Sequence, residues 1–187
     1  MDRKEFTQKL ALLGVCPALL MNFGFTGAEK NGLIDDQQIK RLETERDFIV
    51  NWLSDLIDTM DKVLDKETQI KLFEGCGRGC YNRFSFKQDI AAAGKGDLQK
   101  LVKAYKNNFE IWQEENLVHI RYGEKSPGCY CPAAKYRKAK SNDIHCECTR
   151  TTHQTIFETA LERNIKVEIL ESVRRGNQTC HFLVHLT

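Results

Sequence analysis

Proline is scarce, with three in 187 residues, and no low-complexity tract is visible. Nothing in the composition therefore points to a Pro-rich linker or a disordered tail. Charge of one sign is lacking too: 28 Lys and Arg against 26 Asp and Glu leave a net +2. Such a balance gives no reason to expect nucleic acid or an anionic membrane as the main partner. No apolar run in the folded part is long enough for a transmembrane helix, so no integral membrane segment is expected. The chain also has no nucleophile elbow, phosphate loop, dinucleotide fingerprint or HExxH pair, which leaves the commonest hydrolase, nucleotide-binding and zinc-protease chemistries without their signatures.

Cysteine is what the chain has in excess: eight residues. Cys129-Tyr130-Cys131 and Cys146-Glu147-Cys148 are two like pairs, separated by a basic loop carrying Lys135, Arg137, Lys138 and Lys140. Cys76 and Cys80 form a third pair within Gly75-Cys76-Gly77-Arg78-Gly79-Cys80. Cys180 lies near the end of the chain, and Cys16 stands apart. Paired thiols suggest metal ligation, disulfides or thiol chemistry, and the redox compartment bears on which.

The N-terminal residues 1–28 read either as an amphipathic first helix or as a degenerate twin-arginine leader. In the second reading Asp2-Arg3-Lys4-Glu5-Phe6 precedes an apolar stretch from Leu10 to Phe25, and Thr26-Gly27-Ala28 offers small residues for cleavage. The first favours the cytoplasm and the second predicts export. Residues 29–187 read as one α+β domain, helical over 35–109 and sheet-rich over 110–187.

Leu42, Ile49, Trp52, Leu53, Leu56, Ile57 and Met60 recur at helical spacing and predict a helix over 35–64. A second helix is expected over 66–81, and a third beginning at the cap Asp97. Two short strands with a turn near Glu114-Glu115-Asn116 should follow. After the basic loop, the segment 143–148 is expected to be extended, with a helix opening at Thr149 or Thr151. Two alternating strands over 165–172 and 179–186 would then close a mainly antiparallel sheet as a C-terminal hairpin.

In extended structure, residues i and i+2 point to one face, so each Cys-x-Cys would present two sulfurs side by side. Two such pairs brought together offer the four thiolates of a tetrahedral site. Cys129, Cys131, Cys146 and Cys148 are therefore the candidate metal ligands, zinc being the first expectation and an iron–sulfur cluster the second. Cys76, Arg78 and Cys80 are the candidate ligand-binding residues. Three glycines in a helix cost about 1 kcal/mol each relative to alanine, which makes sense where another backbone or a ligand approaches closely. The bland alternative makes both cysteines part of an apolar helix stripe. Cys180 shares its strand face with Phe182, Val184 and Leu186 and reads as a core thiol, with His181 and His185 on the other face. Cys148, beside Arg150 and His153 at a helix start, fits a reactive thiol.

The stretch carrying Glu158, Asn164 to Ile169, Ser172 to Gly176 and Thr179-Cys180-His181-Phe182 resembles the end of the 4-vinyl reductase type of small-molecule-binding domain. It is more similar still to that domain's cysteine-rich bacterial relatives, among them L-2-amino-thiazoline-4-carboxylic acid hydrolase-like proteins. The paired cysteines at 76/80, 129/131 and 146/148 look like the relatives' pairs. Two departures stand out: Asn177 where Asp is usual, and Ser172 where the reductase type often has cysteine. The resemblance implies a mixed α+β fold with a cavity for a small organic ligand, and a small-amide or thiazoline-ring hydrolase as the alternative function. A structural domain with core thiols or disulfides is the third reading, and a homodimer stays open.

Overall fold

The computed structural model describes residues 35–187. The expectations placed on residues 1–34, the first helix or leader and Cys16, lie outside the described residues. Two compact units divide the chain, 1–43 and 44–187, and every site residue discussed below belongs to the second.

The architecture is α+β. Helices α1 (Asp36–Val63), α2 (Lys66–Arg83), α3 (Ser85–Ala93) and α4 (Leu98–Tyr105) precede strands β1 (Glu110–Glu114) and β2 (Leu117–Arg121). Helix α5 (Glu147–Leu161) and strands β3 (Lys166–Glu171) and β4 (His181–His185) complete it. The helix starts are written in the sequence. Asp65 caps α2 by accepting from the Thr68 backbone N–H, and Asp97 caps α4 by accepting from Gln99 and Lys100. Each satisfies donors that a helix start leaves open.

The four strands form one antiparallel sheet in the order β1-β2-β4-β3. Its register is set by the period of two. Val118 faces Val184 and Ile120 faces Phe182 across β2 and β4, and all four are fully buried. They pack with Ile156, Phe157 and Ala160 of α5 and with Leu101 and Tyr105 of α4. Cys180 is buried beside this core, as expected from its strand face.

Three local expectations are corrected. Cys146-Glu147-Cys148 is not extended: Cys146 caps α5 and the helix begins at Glu147, before either threonine. Cys129 and Cys131 lie in the loop expected over 123–142, Cys131 leading a short 3-10 turn over Pro132–Ala134. The basic run is not merely a solvated loop. Arg137 is buried, held by Asp58 and Asp61 of α1 and by Asp143. Helix α1 buries Val50, Ser54 and Ile57, while Ile49, Trp52 and Leu56 are exposed. Helix α3 was not expected at all.

Candidate functional site

Helix α2 lies along α5, and the sequence reason is Gly77. A Cβ there would stand 2.4 Å from the Cys148 carbonyl oxygen and 2.8 Å from the Thr151 Cβ, so only glycine lets the two helices approach this closely. Thr152 seals the contact by donating its hydroxyl to the Gly77 carbonyl at 3.1 Å. Gly75 meets nothing within 4 Å, and Gly79 would meet only the flexible end of Arg83. One of the three glycines is thus explained by close approach. Cys80, one turn below Cys76, is part-buried and accepts a hydrogen bond from Lys87 of α3 at 2.7 Å. Cys76 is exposed, and Arg78 runs along the exposed helix surface to Glu74 at 3.5 Å.

The loop with Cys129 and Cys131 is tied down by Arg174. Its guanidinium donates to Asp143 at 3.1 and 2.6 Å and to the carbonyls of Arg137 and Lys138. Asp143 also accepts from the His145 backbone N–H, which sets the chain up to enter α5 at Cys146. An open cleft of about 540 Å³ lies against this loop, lined by Cys129, Cys131, Arg137, Val173 and Arg174. Cys146 Sγ is 2.9 Å from Ser172 Oγ. It also hydrogen-bonds the Cys180 thiol, which lies at the entry to β4.

The thiols of these segments lie within one another's electrostatic reach. Burial pushes Cys131 up, and charge on Cys129, Cys80 or Cys146 would push it further. Burial likewise raises Cys129, with Cys146 adding to it. Cys148 is driven up to about 12 by burial, then by Cys131, Cys80 and Cys76. In the Cys146–Cys180 pair, the shared hydrogen bond keeps the proton on Cys146 and lowers Cys180, so Cys180 is the first of the two to ionise. The seven cysteines among the described residues are all free thiols. The two Cys-x-Cys pairs and Cys80 are therefore near enough for the charge of one thiol to act on another. Among the described residues, no group of three or more His, Cys, Asp or Glu side chains is arranged to hold a metal ion.

Cys148 is the wrong kind of thiol for a nucleophile. Arg150 is occupied by Glu74, Glu147 and Gln154, and the thiol's pKa is raised rather than lowered. His153 is fully buried, its Nδ1 3.2 Å from the Tyr105 hydroxyl and its Nε2 3.0 Å from that of Tyr122. Burial, then Lys87, depresses its pKa to about 3, so it is neutral at physiological pH.

Sequence reasoning missed Lys87, Tyr122, Ser172 and Arg174 as neighbours of the thiols. They come from three different elements or turns, and no spacing links them to a cysteine motif. Ser172 carried the one usable signal, as the position where the resembled reductase type often has cysteine.

A cysteine-rich α+β domain, with Cys146 and Cys180 buried and the other described thiols part-buried or exposed, is the class that fold and site define. The family of unknown function DUF6144 matches residues 33–187, and the chain belongs to that family. No curated protein matches it. Among the described residues, no helix is long and apolar enough to cross a membrane.

Proposed function

We infer that this chain is a thiol-based binding module that takes a thiophilic metal ion or metal-bound small ligand at the cysteine neighbourhood. One observation supports it above the others. Cys80, Cys129, Cys131, Cys146, Cys148 and Cys180 come from four separate segments, all are free thiols, and charge on one is felt by others among them. Sulfur-only donors suit soft cations such as zinc or an iron–sulfur cluster. Cys129, Cys131, Cys146 and Cys148 would be the first ligands, with Cys80 and Cys180 in reserve. The loop bearing Cys129 and Cys131 stands outside regular structure, so its sulfurs are not fixed by a helix or strand ladder. Raised thiol pKa values mean that the empty site is protonated, so uptake at neutral pH should release protons.

The kinship with 4-vinyl reductase-type domains remains part of this reading, supported by the α5-β3-β4 order with Cys180 at the hairpin. The hydrolase alternative has less support, because the Cys148 thiol is raised and its neighbouring arginine is engaged.

The test is elemental analysis of the full chain purified anaerobically without added metal, with a free-thiol count beside it. The expected result is about one zinc or one cluster per chain, lost in Cys129→Ser and Cys148→Ser variants that still fold. A metal-free chain with every described thiol reduced, and no uptake from added zinc, would establish the structural-domain reading instead.

A further inference from the structure

Helix α1 is built the reverse way for a surface helix. Its inward face buries Val50, Ser54 and Ile57. The same side sends three aspartates to cations of the domain: Asp47 to Lys135 at 3.1 Å, Asp58 to Arg137 at 3.2 Å and Asp61 to Lys140 at 2.6 Å. By the turn of an α-helix, Phe48, Ile49, Trp52, Leu56 and Val63 lie on the opposite side. They stand between 41% and 73% exposed. A surface helix ordinarily turns its apolar stripe to the core and its charges to water. Here ion pairs anchor the inner face and large apolar groups face out.

What covers the stripe follows from its period, its far side and its area. Ile49, Trp52, Leu56 and Val63 stand three, four and seven residues apart. That is the a/d spacing of a heptad, a seam that fits another helix and winds with it. A helix that lies on a membrane carries a polar face rich in Lys and Arg, whereas the polar side of α1 presents aspartates engaged with its own domain. An aromatic side chain carries about 150–250 Å², so at these exposures the five side chains leave roughly 500 Å² of apolar surface. On a monomer, a patch of that size is commonly functional. Paired with itself across a two-fold axis, it buries roughly 1,000 Å², the size at which specific interfaces begin. Such pairing needs no other component, because the same stripe supplies both sides.

We propose that the outward stripe of α1 is a docking surface for a second copy of this chain, the two helices pairing over Phe48 to Val63 along their heptad seams. The contact is independent of the thiols and of anything they bind. Trp52, flanked by Ile49 and Leu56, is its anchor, since a few buried aromatic residues carry most of the energy of an interface. An interface of this small area has a dissociation constant of about 1–100 µM, so monomer and dimer exchange.

Sedimentation equilibrium of the full chain tests it, with reductant and chelator present so that neither a disulfide nor a metal bridges two copies. The parent should pass from monomer to dimer between about 1 µM and about 1 mM. Trp52→Lys and Ile49→Lys should each weaken association at least about tenfold. Their melting temperatures at the monomeric end should match the parent's, because neither side chain is buried. Leu170→Lys, which removes an exposed apolar side chain on β3 instead, should associate as the parent does. A parent chain that stays monomeric throughout would overturn the proposal. Dimers that persist unweakened in Trp52→Lys and Ile49→Lys, or that weaken equally in Leu170→Lys, would overturn it too. A monomer that sediments with phosphatidylserine vesicles would assign the stripe to a membrane surface instead.

Discussion

Gly75 and Gly77 are two residues apart and ask opposite things of the backbone. Gly75 faces open space on an exposed helix surface, so Gly75→Ala should stabilise α2 by about 1 kcal/mol through helix propensity alone. Gly77 has the α5 backbone where its Cβ would be. Gly77→Ala must push α2 and α5 apart and should cost about 1–3 kcal/mol. For a chain of this length, thermal melts should separate the two variants by several degrees in opposite directions from the parent. A destabilised Gly75→Ala would mean that something contacts that face which the fold does not supply. Val184 makes the same kind of point about register. It is fully buried opposite Val118, so Val184→Asp places an unpaired carboxylate in the core and should abolish cooperative melting.

At the scale of elements, the decisive piece is the loop between β2 and α5, which has little regular structure and three cysteines. Arg174 holds it through Asp143 and two carbonyls, with the Arg174 and Asp143 side chains almost wholly buried. Among the described residues, Arg174→Ala leaves that carboxylate the His145 N–H and, as its one remaining ion pair, the more distant Arg137 at 3.6 Å. Breaking a buried pair from one side costs about 3–5 kcal/mol, so the melting temperature should fall by about 10 °C. Hydrogen exchange should rise first over 129–146. If exchange in that loop is unchanged in the variant, Arg174 is not what pins it.

Much of this layer was legible and some was not, for physical reasons that differ by element. The cap Asp97, the alternation through β2 and β4, and the long period of α1 are local signals, and each led to its element. Helix α3 begins at Phe84-Ser85-Phe86 with no side-chain cap, so nothing local announces it. The face of α1 was misjudged because the helix carries more apolar residues than it buries. Arg137 read as a loop cation because its partners, Asp58 and Asp61, are more than 70 positions away in the chain. The cysteine pairs were visible as motifs. That Cys146 starts a helix and touches Cys180 depends on the β3-β4 turn bringing Ser172 and Cys180 to it, which spacing does not encode.

For the whole molecule, the buried titratable groups set a stability profile with two shoulders. His145 and His153 have native pKa values pushed by burial to about 4 and about 3, against an ordinary 6.5. Below pH 6.5 the unfolded chain binds protons that the native chain refuses. Stability should therefore fall as pH drops from 6.5 toward 4, by up to about 1.4 kcal/mol per pH unit for each histidine. Carboxylates with lowered native values, such as Asp58, add their loss only below the ordinary 3.8. On the alkaline side the thiols of Cys129, Cys131, Cys146 and Cys148 are raised above an ordinary value of 9. Above that pH the unfolded chain releases protons that the native chain keeps, so stability falls again, with Cys180 as a partial offset. Reduced, metal-free protein should show its highest urea midpoint between about pH 6.5 and 8.5 and a decline on both sides. His153→Gln should flatten the acidic limb toward half its slope without altering the alkaline one. Saturating zinc should remove the alkaline decline, because a native state holding thiolates on a cation no longer retains those protons. An alkaline limb identical with and without zinc would mean that the gathered thiols are packing and not a site.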